Sequence, residues 1–174
     1  MNKKERALFI EKKLNELFPN PKAPLKHKNA FTLLIAVLLS AQTTDKRVNI
    51  VTKDLFKIAS NPNDMFSLGE EKVYDLIKTC GLAPKKAKAI IETSKILLAE
   101  HDGKVPKDLD SLEKLPGVGH KTASVVLSEY FKKPAFPVDT HIHRLAQRWG
   151  LTNGKSVKQT EKDLKEVFDE MNWR

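Results

Sequence analysis

The sequence contains a single cysteine, Cys80, among its 174 residues. One thiol excludes both a disulfide framework and a metal site built from several cysteines of this chain. A bilayer-spanning run is also missing, because the longest apolar stretch, AFTLLIAVLLSA, has twelve residues where about 20 are needed. No secretory leader is visible. We therefore expect a soluble, cytoplasmic protein that does not span a membrane.

Strand patterns are nearly absent as well, since no alternating run is flanked by hairpin dipeptides. Apolar residues recur instead at intervals of three and four, which is typical of amphipathic helices. Two such faces consist of Leu8, Leu14, Leu17 and Phe18, and of Val48, Val51, Leu55 and Phe56. The segment from about Phe31 to Ala41 is apolar on nearly all sides and predicts a buried helix. The sequence thus predicts an all-α fold.

The charge of the chain is strongly positive. Lysine and arginine total 31 against 22 acidic residues, for a formal net charge of +9. A balance of this size favours a polyanionic partner, either nucleic acid or an anionic membrane surface. A lysine-rich solvated surface would give the same composition, so charge alone does not decide between these interpretations.

The stretch LPGVGHKTASVV, residues 115–126, places two glycines directly before a helical pattern. Gly117 and Gly119 allow a positive φ and a close approach of the backbone to a partner. The helix that follows offers backbone N–H groups at the positive end of its dipole. Such a turn binds phosphate without reading the base sequence, although an ordinary tight turn between two helices has a similar pattern.

Lys121 follows this turn, and Asp139 lies eighteen residues further on, in PVDTHIHR. A helix N-terminus and partial burial would both favour the neutral, nucleophilic amine of Lys121, whereas an exposed lysine would simply contact phosphate. Asp139 precedes a helical pattern and is a candidate N-cap. Taken singly, the two residues fit phosphate binding and capping as well as catalysis.

Four motifs taken together are more specific. They are LLIAVLLSAQTTD, GLAPKKAKAI, LPGVGHKTASVVL and VDTHIHR, in this order between about residues 30 and 148. With these motifs the chain resembles the endonuclease III family, the bifunctional DNA glycosylase/AP lyases of the helix-hairpin-helix-GPD superfamily. The resemblance implies a six-helix domain over 21–134, with the helix-hairpin-helix motif at about 112–131. It also implies a second helical domain made of 1–20 and 135–174, incomplete at its C-terminal end.

The same resemblance implies roles for individual residues. Lys121 would be the nucleophile and Asp139 the catalytic carboxylate. Gln42 and Leu82 would be wedges that enter the duplex where the damaged base is extruded. The further DNA contacts it implies are Lys85, Gly117, Val118, Gly119, His120, Thr122 and His141. A lysine at position 121 favours lyase chemistry over a monofunctional mismatch or adenine glycosylase.

Members of this family normally continue into a loop of four cysteines that bind a 4Fe-4S cluster. This sequence ends at EMNWR without those cysteines, so we expect no cofactor in this chain. Loss of the segment should also expose apolar surface. Two functions stay open. One is a glycosylase/AP lyase that removes oxidised pyrimidines and cuts 3′ to the abasic site by β-elimination. The other is a DNA-binding remnant with little or no activity.

Metal binding is not expected elsewhere in the chain. His141 and His143 are two residues apart, which places them on different faces of a helix. The expected partner is double-stranded DNA with a damaged base or an abasic site, and no membrane partner is expected. We expect a monomer associated with the nucleoid of a bacterial or archaeal-like cell.

Overall fold

A computed structural model describes residues 1–173, which contain ten α-helices and one 3-10 turn but no strand. In chain order the helices are α1 (Lys3–Leu17), α2 (Ala30–Ser40), α3 (Asp45–Ile58), α4 (Pro62–Leu68), α5 (Glu70–Ile77), α6 (Ala83–Glu100), α7 (Leu109–Glu113), α8 (His120–Glu129), α9 (Thr140–Arg148) and α10 (Val157–Val167). The predicted all-α fold is confirmed. None of the helices described is long and apolar enough to cross a membrane.

The chain divides into two compact units. The hairpin unit is Ala23–Phe131 and contains α2 to α8. The terminal unit combines Met1–Lys22 with the described part of Lys132–Arg174 and contains α1, α9 and α10. The sequence predicts six helices for the first of these units. The additional helix, α7, has only five residues and leads into the glycine turn.

Helix α2 forms the core of the hairpin unit. Asn29 begins it with a capping box, in which its side chain accepts from Thr32 N and the Thr32 side chain bonds back to the Asn29 backbone. Every residue from Phe31 to Leu39 is buried, because α2 packs against α3, α6 and α8. This burial confirms the prediction made from its apolar composition.

Helix α3 packs through the face predicted for it. Thr44 is its N-cap and accepts a hydrogen bond from Arg47 N, which supplies one of the partners that a helix start otherwise lacks. The buried side chains of this helix include the whole predicted set, Val48, Val51, Leu55 and Phe56.

The terminal unit has a small core of its own, made by Ala7, Val138, Ala146, Leu151 and Leu164. The prediction for α1 is corrected here, because its large apolar side chains are exposed; they are Leu8, Leu14, Leu17 and Phe18. Helix α1 is buried instead at Ala7, whose small side chain lets the backbone approach the core closely. Arg6, one position earlier, donates to the carbonyl oxygen of Gly150 at 3.0 Å.

Candidate active site and nucleic-acid interface

The glycine turn lies between α7 and α8 in the hairpin unit, and its backbone fits closely against two helices. Gly117 has φ +73°, and a Cβ built there would lie 3.1 Å from Ala89 Cβ and 3.2 Å from Leu38 Cδ1. The hydroxyl of Thr93 donates to the carbonyl oxygen of Pro116 at 3.1 Å. Val118 N donates to Leu115 O at 3.1 Å. The turn is therefore held in one conformation by α2 and α6.

The outer side of the turn is open. A Cβ on Gly119 would meet no heavy atom within 4 Å, so space for a ligand exists beside this backbone. Gly119 is the N-cap of α8 and supplies no side-chain acceptor to its first turn. The side chain of Val118, by contrast, is buried with only 5% exposed. Only the main chain of Val118 is placed to contact a partner.

The first turn of α8 carries three of the predicted site residues. Lys121 is exposed and Thr122 is half-buried. Of the two environments considered for Lys121, partial burial and exposure, the structure has the exposed one. The packed face of α8 begins at Ala123 and Ser124. His120 Nδ1 lies 2.5 Å from Glu113 Oε1, which links the two helices of the hairpin.

A second feature of the hairpin unit is a pair of turns that meet at Gln42 and Leu82. Both side chains are exposed, and both backbones take the left-handed conformation, with φ +54° and +58°. This conformation costs a residue with a Cβ about 1–2 kcal/mol, so the surroundings must hold it. A Cβ on Gly81 would lie 2.5 Å from Gln42 O. The structure thus brings the two predicted wedge residues onto adjacent turns.

Two neighbouring lysines at the start of α6 differ in their exposure. Lys85 is exposed, as a phosphate contact requires. Lys86 is buried, and its ammonium donates to Leu39 O at 2.8 Å, to Thr43 Oγ1 at 3.1 Å and to Ala41 O. Sequence reasoning missed Lys86. Its position in the apolar series Ala83, Ala87 and Ile90 was the available signal, since these are helical neighbours.

Asp139 and His141 lie at the start of α9 in the terminal unit. Asp139 is the N-cap, and its Oδ1 accepts from His141 N at 3.0 Å and from Ile142 N at 2.9 Å. The capping prediction is confirmed. His141 is exposed, with Nδ1 3.4 Å from Arg144 Nη2.

A four-cysteine cluster does not fit the residues of this chain. The single cysteine, Cys80, is buried within the hairpin unit. In the part of the chain that the structure describes, no three His, Cys, Asp or Glu side chains are grouped to hold a metal ion.

Comparison with known proteins places these features in a family. Residues 35–170 match the HhH-GPD superfamily of base excision DNA repair proteins. Endonuclease III of Escherichia coli strain K12 is 49% identical over 167 residues, covering 96% of this chain and 79% of that protein. Endonuclease III of Rickettsia conorii is 47% identical over 164 residues, covering 92% and 78% respectively.

Solved structures agree with the sequence relatives. A trapped endonuclease III–DNA covalent intermediate, in an estranged-adenine complex, superposes with a TM-score of 0.94 at 40% identity, covering 99% of this chain and 82% of that one. A non-covalent endonuclease III–DNA complex gives the same TM-score and identity. The chain belongs to the endonuclease III family within the HhH-GPD superfamily of base excision DNA repair proteins.

Proposed function

We propose that the chain removes oxidised pyrimidines from duplex DNA and then cuts the strand 3′ to the abasic site through a Schiff base on Lys121. As a member of the endonuclease III family, it is a DNA glycosylase with AP lyase activity in base excision repair. The observation that carries the residue assignment is the position of Lys121. It lies in the first turn of α8, directly after the open backbone of Gly119, where a bound phosphate would bring a sugar close to its amine.

The chemistry needs an amine and a carboxylate. The neutral amine of Lys121 attacks C1′, and the C1′–N bond breaks so that the base leaves with the electron pair and is protonated. Opening of the sugar ring then gives an imine between the lysine nitrogen and C1′. Loss of a C2′ proton expels the 3′ phosphate by β-elimination, and water hydrolyses the imine to release Lys121.

Asp139 supplies the second group. We assign its carboxylate to stabilising the positive charge that develops on the sugar, and to accepting a proton from the attacking amine. Its cap hydrogen bonds from His141 N and Ile142 N fix the orientation of Oδ1. Asp139 therefore presents its carboxyl group in one defined position at the start of α9.

The remaining contacts bind and distort DNA, the partner that this family membership implies. The main chain at 117–119, with His120, Thr122 and Lys85, would contact phosphates, and His141 the surroundings of the lesion. Gln42 and Leu82 would fill the space left by the extruded base, which costs a few kcal/mol to unstack. The net charge of +9 supports binding to duplex DNA without sequence preference. We further propose that the enzyme acts as a monomer at the nucleoid.

The test is a single-turnover assay on duplexes that differ in one base. The substrates carry thymine glycol, 8-oxoguanine, or adenine opposite 8-oxoguanine, and base release and strand cutting are measured separately. We expect thymine glycol to be released fastest, with a cut on its 3′ side. Lys121→Ala should lose on the order of 10³-fold or more in rate. Preferential release of adenine, or base release without cutting, would contradict the proposal.

A further inference from the structure

The buried amine of Lys86 connects the two turns that carry Gln42 and Leu82. Its side chain begins on α6, four residues after Leu82, and is only 5% exposed. It reaches the last turn of α2 and the segment that follows, where it donates to Leu39 O, Ala41 O and Thr43 Oγ1. An ammonium has three donors, so these three acceptors use its full capacity.

Each acceptor has a physical reason to bind Lys86. The carbonyl of Leu39 belongs to the last turn of α2, where carbonyl groups lack helical partners. The negative end of the helix dipole at this point also favours a cation. Ala41 and Thr43 are the two residues that flank Gln42. The backbone on both sides of Gln42 is thus tied to one buried side chain.

The second turn is tied to the same group. Gly81 N donates to Thr43 Oγ1 at 2.9 Å, the hydroxyl that also accepts from Lys86 at 3.1 Å. Thr43 therefore joins the turn before Leu82 to the turn around Gln42. Contact between the two main chains is direct as well, because a Cβ on Gly81 would lie 2.5 Å from Gln42 O.

Burial of the amine has a cost that these bonds offset. Desolvation lowers the pKa of Lys86, and it raises the pKa of the neighbouring Cys80 thiol. A thiol that keeps its proton provides no negative charge to balance Lys86. The carbonyl and hydroxyl oxygens therefore stabilise the buried ammonium by accepting its hydrogen bonds. A buried cation bonded in this way specifies one arrangement of the segments around it.

We propose that Lys86 is a positioning residue that holds the Gln42 and Leu82 turns in the one arrangement that can enter the duplex together. Left-handed backbone at both residues persists only where the surroundings impose it, and the bonds of Lys86 and Thr43 are what imposes it here. The inference rests on the proposed wedge role of Gln42 and Leu82. It predicts that Lys86 matters for extruding a paired base and matters little once the base is gone.

The experiment compares two substrates under single turnover. One duplex carries a paired thymine glycol, and the other carries a preformed abasic site at the same position. Lys86→Met keeps the length of the side chain but removes its donors. We expect it to slow release of the paired base on the order of tenfold to a hundredfold, and to change strand cutting at the abasic site by less than about threefold. Lys95→Met, which removes an exposed lysine of α6, should match the wild type on both.

Variants of Thr43 distinguish a loss of positioning from a loss of the fold. Thr43→Val removes the hydroxyl shared by Gly81 and Lys86, whereas Thr43→Ser restores it. We expect Thr43→Val to reproduce the selective loss on the paired base and Thr43→Ser to recover most of the rate. Thermal denaturation of each variant shows whether the fold is intact. With 2-aminopurine opposite the lesion, fluorescence should rise less on binding of Lys86→Met or Thr43→Val than of the wild type.

Gln42→Ala and Leu82→Ala, measured in parallel, test the wedge role separately from the positioning role of Lys86. If these variants slow release of the paired base while Thr43→Val and a folded Lys86→Met do not, the inference about Lys86 is wrong and the wedge proposal stands. An equal loss on both substrates for Lys86→Met and Thr43→Val would also overturn it. If Gln42→Ala and Leu82→Ala have no effect, the wedge role itself fails and the inference fails with it.

Discussion

Gly117 lies so close to Ala89 that a Cβ on the glycine would stand 3.1 Å from the Cβ of the alanine. The contact joins the glycine turn to α6, two segments that are distant in the sequence. With φ +73°, Gly117 also adopts a backbone conformation that other residues avoid. The position of the turn over α6 is therefore set by the absence of a side chain at one residue.

Gly117→Ala should destabilise the fold by about 1–3 kcal/mol, since it adds both backbone strain and a tight contact. The matched variant is Gly119→Ala, whose Cβ meets nothing within 4 Å at an ordinary φ of −90°. It should cost less, about 0.5–1 kcal/mol, because alanine is a poorer N-cap than glycine. Urea denaturation of both variants measures the difference.

The same pair separates folding from DNA binding. The methyl group of Gly119→Ala would occupy the open side of the turn, where we place a phosphate. We expect weaker binding to duplex DNA from a variant that remains folded, measured by fluorescence anisotropy at fixed salt. Unchanged DNA affinity of Gly119→Ala would show that no phosphate binds on this side of the turn.

Asp139 has a structural and a chemical role that can be tested separately. Asp139→Asn keeps a side-chain oxygen to accept from His141 N and Ile142 N but removes the charge. Its stability should stay within about 0.5 kcal/mol of the wild type, because Asn and Asp are similar N-caps. Asp139→Ala should lose about 1 kcal/mol. Both should lower the rate of base release strongly in single-turnover assays. A wild-type rate of base release for Asp139→Asn would show that Asp139 acts only as an N-cap.

Sequence patterns predicted the elements that depend on local rules. The buried α2, the inner face of α3 and the cap at Asp139 follow from periodicity and capping chemistry. The prediction for α1 is wrong, because the sequence pattern places its large apolar residues on the buried face, whereas the residue that packs is the small Ala7. Sequence cannot show which side of a helix faces a core made by distant segments.

Lys86 illustrates the same limit in the site. Lys85 and Lys86 are neighbours in the motif GLAPKKAKAI, yet helical geometry exposes Lys85 and buries Lys86. The acceptors of Lys86 are 43 to 47 residues away in the chain, and only the packing of α2 against α6 brings them together. The apolar positions Ala83, Ala87 and Ile90 indicate that Lys86 is buried, but its hydrogen-bonding role depends on the distant acceptors and has no local signal in the sequence.

Asp163 should contribute a pH-dependent stability to the terminal unit. The Thr152 hydroxyl, which donates to its carboxylate at 2.7 Å, and the Gln159 amide lower its pKa below the ordinary 3.8. A lowered carboxyl pKa stabilises the fold fully above 3.8 and loses this effect as the pH falls through the lowered value.

Asp163→Asn removes this contribution. At pH 7 it should cost about 1 kcal/mol, less than the roughly 1.5–3 kcal/mol typical of a hydrogen bond to a charged group, because Asp163 is only partly buried and solvent screens its charge. The difference from the wild type should shrink as the pH falls from 3.8 through the lowered pKa of Asp163, because the carboxyl group is neutral in the folded and unfolded wild type only below that lowered value. Thermal denaturation across this range measures it. A difference that is constant with pH would show that the carboxylate charge is not responsible.

In the proposed mechanism Lys121 forms the covalent bond to DNA. This role is tested most directly by borohydride reduction of the protein bound to a duplex with one abasic site, since reduction converts the Schiff base into a stable protein–DNA adduct. We predict an adduct for the wild type and for Lys95→Ala, and none for a folded, DNA-binding Lys121→Ala. An adduct of equal yield from Lys121→Ala, or none from a wild-type protein that binds the duplex, would contradict the account.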